Sequence, residues 1–311
     1  MPTLAAVLGF AVALGVGTVA IPLVALDAGY APATIGALVA VAAATQLGVR
    51  LTLPWLLGRY ADRSLMAMSA IGLAGTFALL LVSTTLPVFV LAQLLQGASR
   101  AIFWTSSMTH VVRGPGPSVQ RIVDVNVAGN LGSLSGPAIA GTLAIVGMPL
   151  ALAAAVVAGV CAALVSLWLH PLPAFDRRRS AGTLALLRRP GVDVACWAGI
   201  IGGAWWAMVG SFVPVILVGA GIGATGVGWL TSASEGAGMV ALLVQRKISG
   251  RARIGRRLVL AAIVVAGALA GIALGPPVLG VYAALLVVGG AASGTSAHAP
   301  ADRPGRCRRS G

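Results

Sequence analysis

The chain has 311 residues, 58% of them hydrophobic and only 9% charged, with 42 glycines. That is too little polar surface to cover a water-soluble core, so the composition excludes a soluble enzyme or binding module and calls for an integral membrane protein. The net charge of +14 would point to nucleic acid in a soluble chain, but here the basic residues cluster between apolar runs, where they set topology.

At about 20 residues per crossing, the apolar runs give ten spans, at residues 3–25, 33–57, 65–83, 87–109, 126–147, 149–170, 193–218, 223–245, 258–274 and 277–292. The first has no positive segment ahead of it and exceeds a leader's apolar part, so it is expected to stay in the membrane. The connections LDAGYAP, STTLP, VGM, GAGIGATG and LGPP contain no Lys or Arg, whereas the others and the tail hold nearly all of the 21 basic residues. By the positive-inside rule both termini are expected in the cytoplasm. Only Arg50 and Arg100 fall within spans.

Between His170 and Val192 the sequence HPLPAFDRRRSAGTLALLRRPGV holds five arginines, which makes it a cytoplasmic hinge. The expected organisation is an N-terminal six-helix bundle over 1–170, a basic linker over 171–192 and a partial C-terminal bundle over 193–292. The polar tail over 293–311 lacks the apolar residues to pack and is expected to be disordered. A chain rich in Arg, Ala and Gly, with Lys247 as its lone lysine, fits a bacterial inner membrane.

Polar residues inside spans are costly and therefore informative. Span four carries Gln93, Gln96, Arg100, Trp104 and Ser107 at intervals of three or four, which is one stripe of a helix. Arg50, with Gln46 one turn away, lies nearer the basic end, within reach of snorkelling. Glu235 is the one acidic residue in the middle of a span, where transporters place substrate and coupling-ion sites. It can take up and release a proton, or latch the two halves by pairing with Arg100 or Arg50. Asn126, Asn130 and Ser133 form a polar strip in span five, suited to interhelical hydrogen bonds. In span seven, Trp197 is expected to pack, and Trp205 is the candidate to stack on a substrate.

No metal or cofactor site is apparent. Cys161, Cys196 and Cys307 have no partner at metal or redox spacing, and His110, His170 and His298 have none either. The phosphate-binding loop Gly-x-x-x-x-Gly-Lys-Ser/Thr is absent, so the chain has no ATP site of its own.

Three motifs carry a family resemblance. Gly58, Arg59, Tyr60, Ala61, Asp62 and Arg63 follow span two. A related basic loop, Arg253, Ile254, Gly255, Arg256 and Arg257, follows span eight. Span five contains Gly132, Gly136, Pro137 and Gly141, small residues that let another helix approach, with a proline that frees the carbonyl of Ser133. The two loops resemble the conformational loops of the major facilitator superfamily, and the third element resembles the glycine motif of its drug-efflux and antiporter branches. Leu65, Met66 and Ala67 replace the first loop's closing Gly and basic pair. Ile248 and Ala252 stand in the second loop where Gly and Asp are usual. In span four the family arginine has its counterpart at Gln93, while Arg100 lies one turn beyond Gln96.

The resemblance implies an all-α membrane protein of two helical bundles, complete over six helices and then truncated after about ten in all. It implies a secondary active transporter, a monomer in membrane lipid, exporting a small amphipathic molecule in exchange for protons by alternating access. The alternatives are a truncated, non-transporting membrane protein or a lipid enzyme, the latter without the clustered catalytic groups it needs at span ends.

Overall fold

Helix α1 (Pro2–Asp27) is the post of the first bundle: its apolar residues are buried along almost its whole length. The computed structural model describes residues 2–115, 118–172, 174, 192–248, 254–275 and 279–296, and these are helical apart from short connections, with no strand among them. α1 ends at Gly29, whose φ of +82° is open to a residue without a Cβ. The Tyr30 N–H then closes the turn on the Ala25 carbonyl at 3.0 Å. Pro32 pre-sets the first turn of α2 (Pro32–Arg59).

The first bundle continues with α3 (Asp62–Val82), α4 (Leu86–Arg113), α5 (Ser118–Leu143) and α6 (Met148–Leu167). In lipid, helices associate through close packing of small residues rather than through a hydrophobic drive. Accordingly, a Cβ on Gly9 would lie 3.3 Å from the Ala158 carbonyl of α6, and one on Gly97 of α4 would run into the Ala42 carbonyl of α2. α5 begins eight residues earlier than the apolar pattern indicates. Its first turns are polar but helical, with the Gln120 Nε2 donating to Asp124 Oδ1 at 3.0 Å across one turn.

After the linker come α7 (Val192–Val209), α8 (Phe212–Gly219), α9 (Ala224–Ile248), α10 (Ile254–Ala273) and α11 (Leu279–Ser296). The sequence pattern treats residues 193–218 as one span, but the helix breaks between α7 and α8. Pro214 has no N–H to offer the carbonyl of Gly210 four residues back, and its ring crowds that carbonyl. The Gly210 and Ser211 N–H groups turn back onto Trp206 and Met208, at 3.0 and 3.3 Å. Among the described residues the chain is therefore an all-α membrane protein with six helices before the linker and five after it, α7 and α8 following the one apolar run.

α8 ends as α1 does. Gly221 has φ +83°, and the Ile222 N–H reaches the Leu217 carbonyl at 3.0 Å. The first span of each half thus ends in the same type of glycine-terminated turn.

The halves approach each other at the ends joined by charge-poor loops. A Cβ on Gly36 of α2 would lie 2.5 Å from the Phe212 ring of α8, and one on Gly141 of α5 would lie 2.9 Å from the Cα of Gly228 on α9. The basic linker from 175 to 191, the loop over 249–253 and the tail from 297 lie outside the described residues.

Candidate functional site

α4 supplies the polar groups of the site. Gln93, Gln96 and Arg100 are one helical turn apart, and their side of α4 faces a cavity of about 460 Å³ between the two halves. α1 adds Gly17 and Thr18, α2 adds Ala42 and Gln46, and α7 adds Gly202, Gly203 and Trp206. A Cβ on Gly203 would meet nothing within 4 Å, so this glycine keeps its wall open.

Gln93 and Gln96 are 1% and 9% exposed, and no described residue hydrogen bonds to either amide. The Arg100 guanidinium carbon lies over the Trp206 ring at 4.3 Å from the centroid. Arg100 Nε is buried without a hydrogen-bond partner, and the ion pairs among described residues all involve Asp62 rather than Arg100.

An arginine at the centre of a membrane helix costs about 2.5–3.5 kcal/mol on insertion scales. A cation–π contact recovers roughly 0.5–2 kcal/mol. Stacking on Trp206 thus offsets part of the cost, and the remainder falls to acceptors on the cavity side, from which Arg100 is still partly accessible.

The other candidate residues of the spans lie outside this lining. Arg50 is exposed on α2, close enough to Arg100 for the two charges to repel. Trp104 shares a side of α4 with Arg100, but its ring packs where a Cβ on Gly129 would lie, at 2.7 Å, and stands edge-on to Phe10 and Phe103. Ser107 is fully buried, its hydroxyl donating to the Trp104 carbonyl at 3.0 Å. Asn130 is half-buried on α5. Trp205 is 2% exposed and packs against Gly289 of α11, leaving the cavity to Trp206.

Glu235 is half-buried near the middle of α9, between Ser234 and Gly236. A Cβ on Gly236 would lie 3.2 Å from Leu134 of α5, which places this stretch at the seam between the halves. The hydroxyls of Ser232 and Ser234 are buried without partners. Among the described residues no cation lies within ion-pair distance of Glu235, so the latch to Arg100 or Arg50 is not formed.

A second polar cluster closes the basic end of the first bundle. Asp62, the first residue of α3 and fully buried, accepts a hydrogen bond from Arg113 Nη1 of α4 at 3.1 Å. His110 Nδ1 lies 4.0 Å from the same carboxylate oxygen. Arg121 Nη2 donates to the Gly114 carbonyl at 2.6 Å, joining α5 to the end of α4. Gly58 and Arg59 are exposed and Arg63 is half-buried. In the second loop, Gly255 and Arg256 are exposed, while Arg253 and the Arg257 side chain lie outside the described residues.

The small residues of α5 serve two partners. A Cβ on Gly132 would lie 2.7 Å from the Leu8 carbonyl, and one on Gly136 would lie 2.6 Å from Gly15, so both seat α1. Gly141 and Pro137 instead receive α9 at Gly228, and Thr225 Oγ1 donates to the Gly141 carbonyl at 3.0 Å.

The family model of the Major Facilitator Superfamily matches residues 3–302. No curated protein sequence matches the chain. Among solved structures, the nucleoside transporter NupG as its D323A mutant is similar at a TM-score of 0.75 and 14% identity, over 95% of this chain and 79% of that one. The D-xylose-proton symporter is similar at a TM-score of 0.67 and 15% identity, over 94% and 79%. A bacterial homolog of the human lysosomal transporter Spinster, in an inward-facing and unoccupied conformation, is similar at a TM-score of 0.64 and 14% identity, over 95% and 72%. At these identities the likeness is one of fold.

Proposed function

Because the chain belongs to the Major Facilitator Superfamily, we propose that it is a secondary active transporter that exports a small amphipathic molecule in exchange for protons. The observation that carries this reading is the cavity of about 460 Å³ between α1, α2, α4 and α7. Its size falls within the usual range of small-molecule sites, and it lies between two bundles that can rock about it.

Gln93, Gln96 and Arg100 bind the substrate. Glu235 carries the proton: it stands at the seam of the halves with no cation among the described residues in ion-pair distance, where protonation can be coupled to rocking. The Asp62–Arg113 pair and the loops around Gly58 and Gly255 hold one conformation at the basic end, which is cytoplasmic by the positive-inside rule. The glycine motif of α5 favours export. A proton-coupled member of the same fold, the D-xylose symporter, supports proton coupling but not its direction.

The test is efflux of fluorescent amphipathic dyes from energised vesicles, with and without an uncoupler, for the native chain and Glu235→Gln. Uncoupler-sensitive efflux that the variant loses is the expected result. Well-inserted protein that moves no dye from a broad panel would overturn the reading.

A further inference from the structure

We infer that the cavity recognises an organic anion, a small molecule with one carboxylate on an apolar body. The inference deepens the transporter reading and rests on it for the word substrate, although the binding it describes is testable without transport.

The charge of the cavity decides the class. Among the described residues Arg100 is the one ionisable side chain of its lining, and the other polar groups are the amides of Gln46, Gln93 and Gln96, the Thr18 hydroxyl and the Trp206 indole N–H. No carboxylate among the described residues lines it. A cation entering from water would lose hydration and meet like charge. An anion would meet an arginine that holds no carboxylate.

The geometry decides the functional group. Trp206 covers a face of the guanidinium at 4.3 Å, and stacking leaves the hydrogen-bonding edges of that plane available. A guanidinium edge matches a carboxylate through two parallel N–H···O bonds, a match that a lysine cannot make. Arg100 lines the cavity and is partly accessible from it, and no ion pair among the described residues occupies the guanidinium. The amides of Gln93 and Gln96, which line the cavity beside Arg100, extend the same polar strip along α4.

The remaining lining fits an apolar body. Leu14, Ile21, Val39 and Ala207 form its walls, and Gly202 and Gly203 leave room beside Trp206. A single guanidinium balances one negative charge, so a monocarboxylate suits the site better than a phosphate ester with two.

The experiment compares benzoate, benzamide and benzylammonium, three probes of similar size and different charge, by ligand-induced thermal shift of the purified full chain in detergent. Benzoate is expected to stabilise the protein saturably, benzamide at least tenfold more weakly and benzylammonium not at all. Arg100→Gln is expected to weaken benzoate at least tenfold, and Arg100→Lys to restore only part of that loss. A parallel series in nanodiscs with and without phosphatidylglycerol separates a soluble carboxylate from a lipid headgroup.

Three outcomes would overturn the inference: benzylammonium binding as well as benzoate, benzoate binding unchanged in a folded Arg100→Gln, or stabilisation by phosphatidylglycerol alone. The comparison of the three probes uses the native chain, so it stands even if the arginine variants do not fold. Benzoate binding without any transport would sink the transporter reading and leave this inference intact. Uncoupler-sensitive efflux of cationic dyes with no benzoate binding would do the reverse.

Discussion

Trp205 and Trp206 are adjacent on α7 and do different work: Trp206 lies beneath the Arg100 guanidinium at 4.3 Å, while Trp205 is 2% exposed and fills the space beside Gly289 of α11. Successive helical residues point about 100° apart, so one faces the other half while the next packs within its own bundle. Trp205→Ala therefore leaves a cavity and is expected to destabilise the protein by about 3–5 kcal/mol. Trp206→Ala loses a cation–π contact worth roughly 0.5–2 kcal/mol and is expected to cost less stability than Trp205→Ala but to weaken benzoate binding. Thermal unfolding and benzoate titration of both variants check this. Equal stability losses, or unaltered titration in Trp206→Ala, would contradict the assignment.

Asp62 and Arg113 tie the start of α3 to the end of α4. The carboxylate is fully buried and the Arg113 side chain is 20% exposed, so the pair sits between the surface and interior regimes. Removing one partner of a buried pair costs roughly 3–5 kcal/mol, because the other charge is stranded. Asp62→Asn is expected to fall at or below the lower end of that range, since water still reaches Arg113. The double variant Asp62→Asn, Arg113→Gln should be more stable than the sum of the single losses. Strict additivity in thermal unfolding would show that the pair is not coupled.

The polar lining of the candidate site is legible in the sequence because lipid makes polar residues conspicuous. Gln93, Gln96 and Arg100 stand out by their spacing, and α4 presents them to the cavity together. Trp104 continues the same stripe, but its neighbour changes from the cavity to Gly129 of α5. Spacing fixes a side of a helix, not what faces that side at each level. Trp206 was missed in favour of Trp205, although a signal existed. Gly202, Gly203 and Gly210 are spaced to share the side of Trp206, whereas Ile201 and Val209 share that of Trp205. Small residues mark a wall with room, and bulky ones mark packing. The break before Pro214 was hidden by the unbroken apolar run around it, and the close approach of α5 to α9 depends on tertiary pairing that no local pattern encodes.

The break between α7 and α8 carries its own prediction. Pro214→Ala restores an N–H for the Gly210 carbonyl and removes a ring clash worth about 3 kcal/mol in an ordinary helix. The kink also seats Phe212 against Gly36 of α2, a contact that straightening would disturb. Pro214→Ala is thus expected to leave the melting temperature level or higher while dye efflux slows. A variant that is both less stable and fully active would show that the kink has no part in transport.

The seam between the halves is tight at Gly228, where an added Cβ would run into the Pro137 carbonyl and lie 2.7 Å from the Cα of Gly141. These are backbone atoms, which cannot swing aside as a side chain would. Gly228→Val must therefore push α9 away from α5, at the roughly 1–3 kcal/mol typical of overpacking, and break the 3.0 Å bond from Thr225 to the Gly141 carbonyl. The expected result is loss of efflux together with faster thiol labelling at Ala224→Cys from the charge-poor side, measured with Cys161, Cys196 and Cys307 replaced. Gly228→Ala should show the same changes to a smaller degree. Unchanged labelling and efflux in Gly228→Val would mean that this crossing does not govern access to the cavity.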